Sequence, residues 1–412
     1  MKTTIIRKEG LDNMPLTLSN KALNVKPSST LAITAKAKAF AAAGIDIVGF
    51  TAGEPDFNTP NSINEVAIQA INDGVTKYTP ACGTMDLKKA ICEKFKSFNN
   101  LTYEPEQIVI SNGAKHSLSN IFDTLLNPGD EVIIPTPYWL TYPEIVKLAD
   151  GIPVYVYGEK ENAYKVTASQ IEAAVTANTK ILVLNSPNNP TGAVYSKEEL
   201  QEIAKIAIRH DFYVIADEIY EQLIYGDKMH VSIASLGPEI YERTITVSGV
   251  SKSYAMTGWR IGYTGSNVEI AKVMGNLQSH KTSNPNSIAQ KATIEALQGD
   301  QSALEVMKQA FGERRDYMYK RLVKMPYLDV LSPEGAFYIF IDIEEVLGKT
   351  YKGNVLANAQ EFVRVLLEEY QVVVVLCDDF GMENHMRLSY AISLEEIQKG
   401  LERLETFLYK IQ

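Results

Sequence analysis

The chemistry of this chain centres on Lys252, which follows Ser251 in a run of small residues, with Arg260 after it in a glycine-containing segment. A lysine amine can form a Schiff base with an aldehyde, and a guanidinium offers paired donors to a phosphate. Pyridoxal 5'-phosphate carries both groups, so this pattern is typical of a site for that cofactor. A lysine between serines is also common in an ordinary polar loop. Other segments of the chain must therefore distinguish a cofactor site from such a loop.

A second segment with chemical potential is Gly113, Ala114 and Lys115, where a strand-like run turns into a helix-like one. Free backbone N–H groups and the positive end of the helix dipole make such a turn an anion site. We interpret these three residues as phosphate ligands, the alternative being an ordinary helix start.

Two further strand ends offer groups that a pyridine ring could use. Trp139 could stack on the ring, although a single tryptophan is more often part of a core. Asn189 lies in a loop between two prolines that stiffen it, and its amide could donate a hydrogen bond to the phenolic oxygen of the cofactor. The alternative for this loop is a plain proline–glycine turn.

Asp217 follows a hydrophobic strand and is expected to be buried, where a carboxylate needs a partner. A protonated pyridine nitrogen would be that partner, and Tyr220 could share the phenolic oxygen. An Asp-Glu pair also resembles a metal-binding pair, but the histidines show no ligand spacing, so we predict no metal. Arg387 on a late strand could clamp a carboxylate, or form a surface ion pair.

Composition narrows the class of protein. The chain has 412 residues, of which 45% are hydrophobic and 22% charged, and its formal net charge is -10. This balance disfavours a nucleic-acid surface. The three cysteines are scattered without metal or redox-pair spacing, and the first residues lack the apolar core of a signal peptide. We therefore expect a cytoplasmic protein that binds small molecules.

Strand-like runs alternate with helix-like stretches from about residue 107 and predict an α/β fold with a mainly parallel sheet. The predicted strands lie near residues 108–110, 131–134, 154–156, 181–184, 213–216 and 244–247. After about residue 299 the pattern changes to long helices at 302–324, 360–370 and 394–409, with strands at 335–341 and 372–376. We predict an N-terminal segment, 1–60, that completes a small domain formed by 299–412, and a large cofactor-binding domain at 61–298.

Taken together, these runs make the sequence resemble class I aminotransferases of the fold-type I pyridoxal phosphate group, over about residues 23–408. Within this group it most resembles bacterial aspartate aminotransferases of the type that includes aspartate/prephenate enzymes. The motifs that carry the resemblance are Ala52-Gly53-Glu54-Pro55-Asp56-Phe57, Tyr78-Thr79-Pro80, Gly113-Ala114-Lys115-His116, Asn188-Asn189-Pro190-Thr191-Gly192, Asp217-Glu218-Ile219-Tyr220, Ser251-Lys252, Gly258-Trp259-Arg260 and Arg387-Leu388-Ser389-Tyr390.

The resemblance implies a fold and a set of roles. The fold would be that of aspartate aminotransferase, with a large seven-stranded sheet domain and a smaller α+β domain. The cofactor would contact Lys252, Gly113, Ala114, Lys115, Trp139, Asn189, Asp217, Tyr220, Ser251, Arg260 and, from the neighbouring subunit of a homodimer, Tyr78. Catalysis would rest on Lys252, Asp217 and Tyr220. One departure is Gly249, where the family often has a serine that binds the phosphate.

The resemblance also implies a reaction, the transfer of an amino group from L-aspartate to 2-oxoglutarate by a ping-pong mechanism. The substrate would contact Gly53, Trp139, Asn189, Arg387, Lys26 and Lys115, the two lysines serving the second carboxylate. Aromatic amino acids or prephenate as substrates, and a β-lyase reaction at the same site, stay open. A catalytically silent ligand sensor is a further alternative, but no added DNA-binding segment is visible.

Overall fold

The computed structural model describes residues 18–27 and 29–412, and a seven-stranded sheet forms the centre of its larger part. Its strands are β2 (Ile108–Ser111), β3 (Glu131–Thr136), β4 (Ile152–Tyr157), β5 (Thr179–Asn185), β6 (Tyr213–Asp217), β7 (Thr244–Gly249) and β8 (Gly262–Gly265). Five neighbouring strands of this sheet, β7, β6, β5, β3 and β4 in spatial order, run parallel, and β8 runs antiparallel between β7 and β2.

Helices cover this sheet because its central strands are apolar on both faces. In β5 the apolar run Ile181–Leu184 is buried at every position, as parallel strands between helical layers require. The helices of this part are α3 (Asn61–Asn72), α4 (Met85–Asn99), α5 (Ala114–Leu125), α6 (Thr141–Leu148), α7 (Ala168–Ala174), α8 (Lys197–His210), α9 (Pro238–Arg243), α10 (Val268–Lys281) and α11 (Ser287–Gln298).

Helix α8 shows how local sequence fixes an element. Ser196 accepts a hydrogen bond from the backbone N–H of Glu199, whose carboxylate accepts one in return from the backbone N–H of Ser196 at 2.7 Å. This capping box satisfies two of the free donors at the helix start. Leu200, Ile203 and Ala204 then form a buried stripe against the sheet.

The smaller part of the chain combines a four-stranded antiparallel sheet with helices. Its spatial order is β14-β15-β10-β9, and β1 pairs in parallel with β13 in a separate two-stranded sheet. The elements are α1 (Asn20–Leu23), α2 (Ser29–Ala42), β1 (Val48–Gly49), α12 (Ser302–Leu322), β9 (Asp329–Val330), β10 (Tyr338–Asp342), the hairpin β11 (Thr350–Tyr351) with β12 (Asn354–Val355), α13 (Ala359–Tyr370), β13 (Val372–Val373), β14 (Val375–Leu376), β15 (His385–Ser389) and α14 (Leu394–Leu408).

The structure confirms the α/β class, the mainly parallel sheet and all six strands predicted between 108 and 247. It adds β8, whose two glycines gave it no strand-like pattern. It also divides the predicted strand 372–376 into β13 and β14, which join different sheets. The pairing of β1 with β13 joins the early segment to the late one, and the division at 60 and 298 stays a prediction. No helix in the described ranges is long and apolar enough to cross a bilayer.

Candidate active site

The carboxyl ends of the parallel strands open into a cleft of about 720 Å³. Asn185 ends β5, Asp217 ends β6, and the two face each other in the strand register. The cleft is lined by Ala37, Ile47, Gly49, Thr51, Ala52, Gly53, Glu54, Ala114, Lys115, Trp139, Tyr142, Asn185, Asn189, Asp217, Ile219, Tyr220, Ser251, Lys252, Thr257, Arg260, Tyr338 and Arg387. Four of these side chains are basic and two are acidic, so this cleft is locally positive in an acidic protein.

Lys252 is half-buried in the cleft and donates a hydrogen bond of 2.5 Å from Nζ to the backbone oxygen of Gly53. Burial lowers the pKa of Lys252 to about 8. The charge of Glu54 opposes this shift, whereas Arg387 and Arg260 reinforce it. An amine with a pKa near 8 can lose and regain a proton close to neutral pH, as a nucleophile and proton carrier must.

Asp217 is buried, and both of its carboxylate oxygens accept hydrogen bonds. Tyr142 Oη donates to Oδ2 at 2.6 Å, and the backbone N–H of Ile219 donates to Oδ1 at 3.2 Å. Burial raises the pKa of Asp217 to about 6, and the two hydrogen bonds oppose that rise without cancelling it. Because no lysine or arginine within the described ranges pairs with Asp217, the site lacks a cation that a protonated ring nitrogen would supply.

The start of α5 and the Arg260 side chain form a positive corner. Arg260 covers Gly113, where an added Cβ would collide with the guanidinium, and donates from Nη1 to the backbone oxygen of Thr257 at 2.8 Å. Lys115 Nζ lies 4.9 Å from the centre of the Trp139 ring, and burial, followed by the charge of Arg260, lowers the pKa of Lys115. No described carboxylate pairs with either cation, so the corner suits an anion.

Arg387 is buried on β15 without a carboxylate partner among the described residues. Its Nη1 donates to Asn189 Oδ1 at 2.9 Å, and its Cζ lies 4.1 Å from the centre of the Tyr338 ring. Its Nε has no hydrogen-bond partner. An unneutralised buried guanidinium with a free donor is suited to a carboxylate ligand.

Tyr220 lies beside Asp217 and is also buried. Its hydroxyl shares a hydrogen bond of 2.9 Å with the hydroxyl of Tyr338 from β10. Burial raises the pKa of Tyr220 well above its ordinary value, so the hydroxyl keeps its proton and can donate it to a ligand oxygen.

A buried ionic network anchors the turn that carries Asp217 and Tyr220. Lys94 from α4 pairs with Glu221, and His230 contacts Glu218 at 2.8 Å. Burial alone would raise the pKa of Glu221, but the charges of Lys94 and His230 hold it below its ordinary value. Glu218, Glu221 and His230 are close enough to share a metal ion, but the ammonium of Lys94 already occupies Glu221.

The cleft brings together most of the residues that the sequence singled out. Gly53, Ala114, Lys115, Trp139, Asn189, Asp217, Tyr220, Ser251, Lys252, Arg260 and Arg387 all line it. Gly113 lies just behind Arg260. Tyr78 is 91% exposed and Lys26 lies on the surface, where its backbone N–H donates to Glu144 at 3.0 Å; neither lines the cleft of its own chain.

The cleft residues that sequence reasoning missed include the polar side chains of Tyr142, Asn185 and Tyr338. Tyr142 stands three positions after Trp139, in the first turn of α6. Asn185 directly follows the predicted strand 181–184 and ends the observed β5. Tyr338 gave no comparable signal, because its place opposite Ser389 depends on the register of β10 and β15.

The absence of a serine at Gly249 has a steric reason. A Cβ at this position would lie 2.9 Å from the backbone oxygen of Ile261, closer than Cβ atoms approach. A serine would therefore require a shift of β7 against β8. Ser251 is buried and lines the cleft.

The sequence matches the family model described as aminotransferase class I and II over residues 45–404. The chain belongs to this family. It is 48% identical to the aspartate aminotransferase of Bacillus subtilis, over 95% of this chain and 99% of that protein, and 45% identical to the aspartate/prephenate aminotransferase of Cereibacter sphaeroides, over 95% and 98%. The aspartate aminotransferase of Rhizobium meliloti superposes with a TM-score of 0.93 at 40% identity, over 97% and 100% of the chains.

Aminotransferases of this family depend on pyridoxal phosphate, and so does this one. Three features of its cleft fit that cofactor independently of the family match. Asp217 lacks a cation, the corner formed by Arg260 and the start of α5 lacks an anion, and Lys252 presents an amine with a pKa of about 8 in the same cleft. The confirmed fold is that of aspartate aminotransferase.

Proposed function

We propose that this aminotransferase transfers the amino group of L-aspartate to 2-oxoglutarate by a ping-pong mechanism, in which the first product leaves before the second substrate binds. The observation that carries the proposal is a pair of cations in the cleft, Arg387 and Lys115, that no described carboxylate neutralises. Aspartate, glutamate and their oxo acids carry two carboxylates each and can neutralise both.

The comparisons support this choice of substrate. Relatives that are 48% and 47% identical, from Bacillus subtilis and Geobacillus stearothermophilus, bear the name aspartate aminotransferase. A solved structure of aspartate aminotransferase from Thermus thermophilus, which superposes with a TM-score of 0.90 at 41% identity, is described with maleate. Maleate is a four-carbon dicarboxylate, the same length as the aspartate skeleton.

The residues of the cleft divide the chemistry among them. When bound, pyridoxal phosphate supplies an aldehyde for the amino group and a ring that withdraws electrons from the substrate Cα. Lys252 would hold the cofactor through Nζ, and the same Nζ, once the substrate amine has displaced it, would carry the proton that leaves the substrate Cα. Asp217 holds a proton on the ring nitrogen, and Asn189 and Tyr220 donate to the phenolic oxygen.

The remaining residues bind and orient. Arg260, Ser251 and the backbone N–H groups at Gly113, Ala114 and Lys115 bind the phosphate, with the helix dipole of α5 favouring its charge. Trp139 stacks on the ring.

Recognition of the amino acid divides between the two ends of the substrate. Arg387 clamps the α-carboxylate beside Gly53 and Asn189. Lys115 receives the second carboxylate, helped by Lys26 when the early segment closes over the cleft. In this structure the backbone N–H of Lys26 donates to the carboxylate of Glu144 at 3.0 Å.

We propose further that two copies of the chain form the active unit. The side chain of Tyr78, which follows Lys77 in the chain, lies on the surface, and the residue is 91% exposed. In the proposed homodimer it reaches the phosphate corner of the neighbouring subunit. We place the enzyme in the cytoplasm, in keeping with three cysteines that form no disulfide.

Prephenate is a second acceptor that the relatives favour. Proteins 45% and 44% identical, from Cereibacter sphaeroides and Aquifex aeolicus, bear names that combine aspartate and prephenate, the second as a probable assignment. Prephenate carries two carboxylates, so the same two cations would receive it.

The test is turnover by the purified protein loaded with pyridoxal phosphate. We expect L-aspartate and 2-oxoglutarate to give oxaloacetate and glutamate, and parallel assays with prephenate and with aromatic amino acids rank the substrates. Release of ammonia and pyruvate without an acceptor would identify a β-lyase instead. Aromatic amino acids turned over far faster than aspartate would overturn the choice of substrate.

A further inference from the structure

Tyr338 contacts both halves of the proposed site. It lies on β10, opposite Ser389 of β15, and only 1% of its surface is exposed. Its hydroxyl bonds to the hydroxyl of Tyr220, and its ring faces the guanidinium of Arg387. One side chain therefore joins the group beside the cofactor oxygen to the group beside the substrate carboxylate.

We propose that Tyr338 is a positioning residue that couples these halves: its hydroxyl orders the proton of Tyr220, and its ring supports Arg387. The inference rests on the proposed function for the roles of Tyr220 and Arg387. The contacts that carry it are properties of this chain.

The role of the Tyr338 hydroxyl follows from the number of protons that the two hydroxyl groups share. Tyr220 and Tyr338 each have one proton, and each hydroxyl is the other's partner within the described ranges. If Tyr220 donates its proton to the phenolic oxygen of the cofactor, it can only accept from Tyr338. A hydroxyl that accepts a hydrogen bond becomes a better donor, so Tyr338 strengthens the contact that Tyr220 makes.

The role of the Tyr338 ring follows from its contact with Arg387, a cation that no described carboxylate neutralises. The Cζ atom of Arg387 lies 4.1 Å from the centre of the Tyr338 ring and 5.3 Å from that of Phe380, and Nη1 is held by Asn189. The negative faces of the aromatic rings stabilise the guanidinium while its Nε stays free for a ligand. The Tyr338 ring thus holds Arg387 in a receptive orientation.

Two substitutions separate the roles. Tyr338→Phe removes the hydroxyl and keeps the ring, whereas Tyr338→Leu removes both. Tyr225→Phe is the matched control, because Tyr225 is a buried tyrosine outside the cleft whose hydroxyl donates to the backbone oxygen of Ala336 at 2.6 Å. All three are purified with bound cofactor and compared with the parent enzyme.

The first readout is the pH midpoint of the visible absorbance of the bound cofactor, measured without substrate. A weaker hydrogen bond from Tyr220 to the phenolic oxygen destabilises the deprotonated form of the bound cofactor. Tyr338→Phe therefore raises the pH midpoint by about half a unit, the size of one weakened hydrogen bond. Tyr225→Phe leaves it unchanged. A midpoint in Tyr338→Phe equal to the parent value, or loss of bound cofactor at saturating concentration, overturns the hydroxyl role.

The second readout is the affinity for maleate, titrated through the same absorbance. Tyr338→Phe keeps it within about twofold, whereas Tyr338→Leu weakens it by about tenfold because Arg387 loses its support. Equal maleate affinities in the Phe and Leu variants would overturn the role of the ring. If the Leu variant fails to fold, a Phe variant that binds maleate tenfold more weakly than the parent would overturn that role as well. Neither readout requires turnover of aspartate, so a parent enzyme that prefers another substrate refutes the proposed function without deciding this one.

Discussion

Tyr142 donates a hydrogen bond of 2.6 Å to Oδ2 of Asp217, and both side chains are buried. The contact brings α6, which follows β3, to the end of β6. It stabilises the ionised carboxylate against the burial that raises the pKa of Asp217 to about 6. The tyrosine therefore favours the anionic form of Asp217, which the proposed pairing with a protonated ring nitrogen requires.

Tyr142→Phe is expected to raise the pKa of Asp217 further and to lower kcat for aspartate by about tenfold, the kinetic size of a lost hydrogen bond to a charged group. Steady-state kinetics at neutral pH measure the effect. Tyr138→Phe is the control, because Tyr138 is a buried tyrosine just before α6 that does not line the cleft. Equal kcat values in the two variants would show that Asp217 does not depend on Tyr142.

Lys252 links the stability of the cofactor-free protein to pH. Its pKa lies at about 8 in the folded protein, below its ordinary value of 10.5. Between these two values the unfolded chain binds more protons, so this lysine makes the free energy of unfolding rise with pH. Urea unfolding of the cofactor-free protein and of Lys252→Met across this window should show a steeper rise in the parent, and parallel curves would contradict the buried amine.

Lys115→Met is expected to lower kcat/KM for aspartate by about 1–3 kcal/mol while sparing aromatic amino acids, because only the acidic substrate loses a charged contact. Lys26→Met tests the same role for the early segment. The kinetics of each variant on both substrate sets provide the measurement. Losses of equal size across the sets would place recognition of the second carboxylate elsewhere.

The exposed Tyr78 predicts a dimer at working concentrations. Light scattering of the active enzyme should give the mass of two chains at micromolar concentration, and Tyr78→Ala should weaken cofactor binding without changing that mass. An active monomer would exclude a shared site.

Much of the site was accessible from sequence because each element ends where an apolar run stops. Asp217 follows such a run, and the parallel sheet requires that its end lie beside the end of β5. The bond between Tyr142 and Asp217 was not accessible, since it spans 75 positions and depends on the order of β3, β5 and β6. Tyr338 was hidden for the same reason, because a strand pattern does not reveal register.

In the proposed mechanism Lys252 carries the cofactor. Borohydride reduction of the loaded enzyme, followed by proteolysis and mass spectrometry, tests it directly. We predict a pyridoxyl phosphate group on the peptide that contains Lys252, and no such label in Lys252→Ala, which should still fold. A reducible label on another lysine, or an alanine variant that keeps a reducible visible band and turns over aspartate, would contradict it.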